Sequence, residues 1–477
     1  MPALDFTSGF YQSISPQNSR QRCINWFVNV AEQKALSQET CLPCPGITLH
    51  DAGQELEVNR GGHVMAGVPY FVNGQTLYRI NRTILSGVEF FAVEALDTIL
   101  GTARVIMDDN GYQLVIIVPG EYAYIYNATT DNLATISDPD FDGPVDSVAF
   151  VDGFFFFNKT GVGKIIQSAL NDGSSFDALE FGSAEADPDK IVRLFKFNNE
   201  LWALGTETMT PYQNIGGTGF VMQPIQGGIL PIGLRSKYAI ATMSRAFVFL
   251  GAGENIKPSI YIFSGGTYQK LSTEPVGTTI QNKTDFEIDN TFFLRYSQND
   301  EDFLLLTVGN TTLGFCYYAS QLSGRKIWFE RSSRIGENDV AWRANCIVDA
   351  YNRLFVGDAV DGRIGLLSDT EGEEYGNPII RDIYTRPFAN EDGHSLSCSR
   401  LEAVIDGAGG DNYISLEWSD DNYNFSQAIS LPLGKKGEYN LIKEWRRLGR
   451  FPRSRLFHFR TSSTIPPAFN KLIGDFS

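Results

Sequence analysis

The sequence is poor in the residues that build metal sites, disulfide scaffolds and DNA-binding surfaces. Its 477 residues include only 6 cysteines, 6 methionines and 4 histidines. Cysteines this sparse exclude a disulfide scaffold and suit a reducing cytoplasm. Basic residues are also in the minority, since 39 Lys and Arg stand against 56 Asp and Glu and leave a net charge of −17. Proteins that coat a DNA duplex by neutralising its phosphates are therefore excluded.

Long apolar runs are also missing, and the first residues lack the pattern of a secretory signal. The opening MPALDFTSGFYQSISP has no basic region followed by an apolar one, so we expect no secretory signal. The most apolar short run is Phe154–Phe157, far below the roughly 20 residues that cross a membrane as a helix. We predict a protein that is made in the cytoplasm and does not insert into a membrane.

Patterns of catalytic or cofactor-binding residues are missing as well. No serine occupies a G-x-S-x-G turn, and no glycine-rich segment carries the lysine of a phosphate-binding loop. Cys41 and Cys44 form a C-x-x-C pair near Cys23, but no second pair follows at zinc-finger spacing, which favours small buried thiols. We expect no enzymatic activity, no cofactor and no metal. The four histidines are scattered without pairing: His50, His63, His394 and His458.

Aromatic residues and glycine are abundant, with 34 Phe, 20 Tyr and 46 Gly, and this composition favours strands and tight turns. From residue 60 to about 368 the chain repeats an apolar strand, a polar turn such as Asn73-Gly74, and a second apolar strand. The turns recur at a mean spacing of about 46 residues, which predicts four-stranded blades of a β-propeller with six or seven blades. A pair of large β-sandwiches is the alternative. The turns lie near residues 74, 120, 153, 199, 244, 299 and 352.

The pattern changes after Gly376-Asn377-Pro378 to longer strands of alternating polarity, which indicates a sheet with one buried face. We therefore predict an all-β fold, a β-propeller with an appended C-terminal β-sandwich. Residues 1–59 are predicted as an N-terminal extended segment that closes onto the propeller. Residues 60–375 are predicted as the propeller, and residues 376–477 as the sandwich, which would serve as a docking domain.

Charge is distributed unevenly along the chain. Residues 435–477 contain ten basic and three acidic residues, a net charge of +7, which leaves −24 on the preceding 434 residues. A basic end on an acidic body suits docking to acidic protein surfaces, including other copies of the chain. The alternative is a solvated strand edge guarded by charge. In an alternating strand Trp445 and Arg447 would share one face, with Trp445 buried, and Arg446 would lie on the other.

Short motifs occur near both ends of the chain. The N-terminal motif is Asn25-Trp26-Phe27-Val28-Asn29 followed by Leu42-Pro43-Cys44-Pro45-Gly46-Ile47, and the C-terminal elements are I-S-L-E-W-S-D-D at 414–421 and W-R-R-L-G-R at 445–450. Together they resemble the tail-hub or packaged-DNA-stabilisation proteins of short-tailed bacteriophages. The propeller between them is similar to that family in architecture only. The hairpin residues Asn422–Phe425 depart from the family's usual Gly-Gly and Thr-Trp.

The resemblance implies a structural virion protein, the hub or nozzle of a phage tail, made in the cytoplasm of the bacterial host. It would assemble with itself as a homo-oligomeric ring, expected to be a hexamer, below the portal and its adaptor or head-completion protein. The ring would close the DNA channel after packaging, retain the genome and carry the tail needle, tailspike or tail fibre. DNA would pass through the channel without specific binding.

Interface residues are predicted from the motifs that carry the resemblance. A different function is suggested by Ser419–Phe425, which faintly resembles the Asp-box hairpin of sialidases, where Asp and Asn side chains bind nearby backbone amides. The alternative is thus a carbohydrate-binding or sialidase-like β-propeller that recognises the host surface. The interface candidates are Asn25, Trp26, Asn29, Pro45, Gly46, Trp445, Arg446, Arg447 and Arg450.

Overall fold

A computed structural model of the chain describes residues 4–13, 19–35, 37–53, 57–183, 189–390, 394–406, 412–434, 438 and 441–477. Strands account for 60% of the structure and helices for 4%, so the predicted all-β fold is confirmed. The helices of the described residues are short: Glu274–Gln281, Asp285–Asp289 and Tyr317–Ser323. None of the helices in these ranges is long and apolar enough to cross a membrane.

The first four blades are antiparallel sheets of four consecutive strands each. Blade I contains Asn59–Met65, Val68–Asn73, Thr76–Leu85 and Val88–Thr98. Blade II contains Ile106–Asp109, Gln113–Val118, Tyr122–Asn127 and Asn132–Thr135. Blade III contains Val145–Val151, Phe154–Lys159, Lys164–Ala169 and Asp172–Ser183. Blade IV contains Ile191–Phe197, Glu200–Gly205, Met209–Asn214 and Met222–Pro224.

Three further blades complete the propeller at seven, within the predicted range of six or seven. Blade V contains Gly233–Leu234, Ile240–Met243, Ala246–Gly253, Ile256–Ser264 and Thr267–Lys270. Blade VI contains Phe292–Gln298, Glu301–Val308, Thr311–Cys316 and Trp328–Ile335, with Asn338–Ala341 paired to its last strand. Blade VII contains Ala344–Ala350, Arg353–Asp358 and Ile364–Ser368, and takes its fourth strand, Gly46–Asp51, from the N-terminal segment.

Apolar side chains between adjacent blades form the core of the propeller. Second strands such as Gln113–Val118 and Glu301–Val308 are buried along their whole length because each blade has a neighbour on both faces. The seven predicted turns all join consecutive strands of one blade. In blades I and II they join the second and third strands, one strand after the turns at Ala66-Gly67 and 110–112. In blade V the turn joins Ile240–Met243 to Ala246–Gly253, which also pairs with the short first strand Gly233–Leu234. In the other four blades the turns join the first and second strands.

The C-terminal sandwich consists of two sheets that pack face to face. Sheet A has the strand order Trp26–Val30, Glu39–Pro43, Ala468–Phe476, Leu396–Asp406 and Leu441–Phe451. Sheet B has the order Arg20–Ile24, Arg381–Tyr384, Ser454–Thr461, Tyr413–Ser419 and Ile429–Pro432. Short strands Tyr11–Gln12 and Phe388–Ala389 add to sheet B, and Glu373–Glu374 with Asn377–Pro378 add to blade VII.

Strands from the first 59 residues therefore enter both the propeller and the sandwich. Sheet B is continuous with blade VI, because Ile24 pairs in parallel with Glu330. Further along, Ile47 pairs with Leu367 in blade VII. We call the region where residues 19–47 meet blades VI and VII and the sandwich the junction.

Candidate assembly interface

Asn25 redirects the chain at the junction from sheet B into sheet A. Its φ of 58° lies in the left-handed region, which asparagine tolerates better than most residues. The side chain is buried, and its Nδ2 donates hydrogen bonds to Ser332 Oγ (3.1 Å) and to the Ile380 carbonyl (2.8 Å). Its Oδ1 accepts from the Ser332 amide at 2.9 Å. Asn25 therefore stabilises the path of the N-terminal segment inside the chain.

Arg331 forms the centre of a buried polar network in the junction. Its guanidinium donates to Asn25 Oδ1 (3.2 Å), to the Pro45 carbonyl (2.6 Å) and to Glu374 Oε1 (3.3 Å). Trp342 Nε1 donates to the same Glu374 oxygen at 3.0 Å, and the Trp342 ring lies 4.9 Å from the guanidinium carbon. Arg331 and Glu374 are both buried, and these added bonds offset part of the cost of burying the ion pair. Arg331 Nε has no hydrogen-bond partner among the described residues.

Gly46 is required where the N-terminal motif enters blade VII. A Cβ at this position would lie 2.4 Å from the Glu373 carbonyl oxygen and 2.6 Å from that of Glu371. No other residue fits between these backbone atoms without moving them. The Pro-Gly pair of the motif is thus explained by close packing of the strand that closes the ring of blades.

The N-terminal interface candidates divide into buried and exposed residues. Trp26, Pro45 and Gly46 are buried within the chain, as is Asn25, so these four serve internal packing. Asn29 is exposed at the end of its strand. Among these five residues, only Asn29 is exposed, and its role at an interface stays a prediction.

The cysteines of the N-terminal motif pack inside the junction. Cys23, Cys41 and Cys44 are all buried as free thiols, and Cys23 Sγ donates to the Trp26 carbonyl at 3.2 Å. Burial raises the pKa of Cys44 to about 12, which disfavours the thiolate that binds metals. In the described part of the chain these thiols do not form a metal-binding group of three.

One group of potential metal ligands is found among the described residues, on the first strands of blades I and II. The ligand atoms of His63, Asp108 and Asp109 lie within 4.8 Å of one another. His63 Nε2 lies 2.7 Å from Asp109 Oδ2, and Asp108 Oδ2 accepts from the Phe150 amide at 2.7 Å. These contacts account for the arrangement of the three side chains without a cation.

Trp445 anchors the C-terminal element. It lies in Leu441–Phe451, which is an edge strand of sheet A, and it is buried as predicted. Its Nε1 donates to the Ile429 carbonyl of sheet B at 3.0 Å, and its ring lies 5.5 Å from that of Phe459. Trp445 therefore holds the two sheets of the sandwich together.

Arg447 does not share the face of Trp445, so that prediction is wrong. The strand pairs Arg446 with Arg400 and Gly449 with Cys398, so it carries one residue more than its partner over this interval. This is a β-bulge, and Arg447 adopts a φ of 59° within it. Simple alternation does not hold across a bulge, and Leu448 is buried in the place predicted for Arg447.

Part of the basic C-terminal charge is neutralised inside the chain. Arg455 is buried and binds Asp420 at 2.6 and 2.9 Å, while a third donor bonds to the Leu448 carbonyl in the bulge. Arg446 pairs with Glu444 at 2.7 Å, and Arg450 Nε donates to Ser395 Oγ at 2.9 Å. Arg447 has no hydrogen-bond or ion-pair partner among the described residues. Lys435 and Lys436 lie outside those residues.

The Asp-box-like turn is a local structural element. The Asp421 carboxylate accepts from the amides of Tyr423 (2.8 Å) and Asn424 (2.7 Å), which confirms that its side chains bind nearby backbone. These bonds lower the pKa of Asp421 and keep it ionised. The Asp421 carboxylate therefore serves to hold the backbone of the turn.

Sequence reasoning missed the charged residues that hold the junction together. Arg331 and Glu374 occur in no motif, and their partners lie far away in sequence, as with Asn25 and Arg331, which are 306 positions apart. For Arg455 the sequence did contain a signal: its partner Asp420 is the first aspartate of the W-S-D-D element.

Comparisons with known proteins cover the propeller and the sandwich separately. The family model described as "Bacteriophage P22 Gp10, beta-propeller" matches residues 3–372. The model described as "Bacteriophage P22 Gp10, beta-sandwich" matches residues 381–473. Among curated proteins, no match was found.

Solved structures give weaker similarities. The N-terminal domain of Nup159 is 10% identical with a TM-score of 0.40, covering 72% of this chain and 98% of that one. The extracellular domain of a putative hybrid two-component system from B. thetaiotaomicron is 9% identical with a TM-score of 0.41. The match covers 78% of this chain and 45% of that one. An exo-β-1,3-galactanase from Phanerochaete chrysosporium is 10% identical with a TM-score of 0.29. The match covers 78% of this chain and 95% of that one.

Similarities this weak assign no function to the chain. The two family models, in contrast, match most of its length and name the same two folds that the structure contains, a propeller and a sandwich. The chain belongs to the bacteriophage P22 Gp10 family of structural phage-tail proteins.

Proposed function

We propose that this protein is the tail hub of a short-tailed phage. Several copies, expected to be six, form a ring below the portal and its adaptor, and the ring closes the DNA channel after packaging. The ring retains the genome and carries the needle, tailspike or fibre. The observation that supports this function best is the match of both family models, which together span 3–372 and 381–473.

The physical properties of the chain suit this role. The propeller is closed by the Gly46–Asp51 strand, so its blades form a rigid unit whose sheet edges are short and protected. The residues before 435 carry a net charge of −24, and an acidic wall repels the phosphates of DNA that must slide past it. We propose that the protein acts by assembly and not as an enzyme.

Genome retention provides the direct test. Phage particles assembled without this protein should package DNA and then lose it. The measurement is the number of DNase-resistant genomes per capsid, followed over time after packaging. Supply of the wild-type chain from a plasmid should restore retention. Particles that stay filled without the protein would overturn the proposal.

A further inference from the structure

Two exposed, oppositely charged surfaces lie at opposite edges of sheet A. We propose that neighbouring subunits join when the arginine-bearing edge strand of one copy docks into an acidic cleft of the next. This inference rests on the proposed ring and identifies the surfaces that would form it. The occupant of the cleft is thus a second copy of this chain.

The acidic cleft is formed by residues 29–32 at the end of the first strand of sheet A, the turn 297–302 of blade VI and the helix residues 318–322, and Ser244 and Arg295 complete its lining. Its volume is about 830 Å³. Glu32 and Asp300 are exposed in it, and neither has a hydrogen-bond or ion-pair partner among the described residues. The cleft therefore offers two carboxylates to a basic partner.

The other charges of the cleft are already paired. Asp302 binds Arg295 at 3.2 Å, and the Glu301 carboxylate accepts from the Tyr318 amide at 2.6 Å. Tyr318 and Leu322 are 43% and 52% exposed at its rim, so apolar contact area is available beside the free carboxylates. Arginine is suited to such a mixed surface, because its guanidinium binds carboxylates and its stem packs on apolar groups.

The arginine strand, Leu441–Phe451, has the complementary properties. It is an edge strand, paired on one side with Leu396–Asp406 and on the other side with no strand of the described residues. The bulge places Arg447 outward without an ion-pair partner among the described residues, and the Arg446 side chain is 71% exposed while it pairs with Glu444. Ile442 on the same strand is 62% exposed.

The positions of the two surfaces require a second copy. The Trp26–Val30 strand, which leads into the cleft, and the arginine strand are separated by three other strands of sheet A. At about 4.8 Å per strand the two edges lie about 19 Å apart, and they face away from each other. One chain therefore cannot dock its own strand into its own cleft. Contacts between two different surfaces of identical chains are heterologous, and such contacts form a ring when the rotation between neighbours closes.

Charge reversal tests the docking. The cleft variant is Glu32→Arg with Asp300→Arg, and the strand variant is Arg446→Glu with Arg447→Glu. Each variant alone should load onto purified portal–adaptor complexes at least tenfold less than wild type at physiological salt. A mixture of the two variants should load normally, because each reversed surface then meets an opposite charge. The control, Lys257→Glu with Lys270→Glu, reverses two charges on blade V and should load like wild type.

Disulfide trapping tests the contact directly. All six native cysteines are buried, so Glu32→Cys combined with Arg447→Cys introduces the reactive pair. Oxidation of loaded complexes should give a ladder of linked subunits on a non-reducing gel. Arg447→Cys with Lys257→Cys should give none.

The outcomes separate the docking from the function on which it rests. If both charge-reversal variants load like wild type and the cysteine pair gives no linked subunits, the docking is wrong. The tail-hub proposal would be unaffected by that result. Failure of wild-type protein to load onto portal–adaptor complexes, together with stable genomes in its absence, would overturn the tail hub and the docking with it.

Discussion

The propeller and the junction are stabilised by different kinds of interaction. Between blades most of the buried side chains are apolar and recur in equivalent positions around the ring, as in Gln113–Val118 and Glu301–Val308, with isolated ion pairs such as Arg343–Asp358. The junction instead contains a buried network centred on Arg331 and Glu374, which bonds segments that are distant in sequence. The propeller therefore spreads its stability over many similar contacts, whereas the junction depends on a few polar groups that are expensive to leave unpaired.

The largest difference between the two regions should appear when Arg331 is replaced. Arg331→Met leaves the buried Glu374 carboxylate without its positively charged partner and the Pro45 carbonyl without its donor, which should lower the free energy of unfolding by about 3–5 kcal/mol. Arg334→Met is the matched control on the same strand, since Arg334 is exposed and lies 3.9 Å from Asp339. It should cost about 0–1 kcal/mol. Urea unfolding followed by tryptophan fluorescence measures both, and equal losses would contradict the dependence on the network.

A smaller effect is expected at the strand that closes the ring. Gly46→Ala forces two backbone carbonyls apart and should cost about 1–3 kcal/mol. Gly277→Ala is the comparison, because its Cβ would have no neighbour closer than 3.8 Å and the site lies inside the helix Glu274–Gln281. Because alanine favours the helix more than glycine does, Gly277→Ala should raise the free energy of unfolding by about 0.5–1 kcal/mol. Thermal unfolding of both variants checks the opposite signs, and a neutral Gly46→Ala would show that the closing strand has room to move.

The same contrast explains what could be predicted from the sequence. Blades form from strands and turns that are neighbours along the chain, so turns such as Asp152-Gly153 reveal the repeat. The junction forms from distant segments, and no local pattern links Asn25 to Arg331. The bulge was missed for another reason: one extra residue at Arg447 reverses the alternation, and arginine carries no preference for the left-handed backbone that the bulge needs. The motifs therefore located the junction and the arginine strand, but they did not distinguish internal packing from an exposed surface.

A difference in pH dependence follows from two aspartates, the buried Asp382 in the sandwich and the half-buried Asp108 in the propeller. In the sandwich, burial alone would raise the pKa of Asp382, but hydrogen bonds from His458 (2.7 Å) and Arg460 (2.7 Å) lower it below its ordinary value. Its stabilising contribution is therefore present above the unfolded pKa of about 4 and is lost as the pH falls further. Asp382→Asn should destabilise the protein at pH 7, and the gap to wild type should shrink below about pH 4. Thermal midpoints measured from pH 3 to pH 7 test this, and a gap that stays constant would contradict it.

The smallest effect, with the opposite sign, is expected for Asp108 in the propeller. Burial raises the pKa of Asp108, so the folded state binds its proton more tightly than the unfolded state does. Its charged form therefore costs stability, and that cost develops as the pH rises above about 4. Asp108→Asn removes the charge while its side-chain oxygen can still accept from the Phe150 amide, so stability at pH 7 should stay within about 1 kcal/mol of wild type or rise. The same series of thermal midpoints should show the variant gaining on wild type as the pH increases, the reverse of Asp382→Asn. Parallel trends for the two variants would contradict the raised pKa of Asp108 and would mean that partners stabilise both carboxylates.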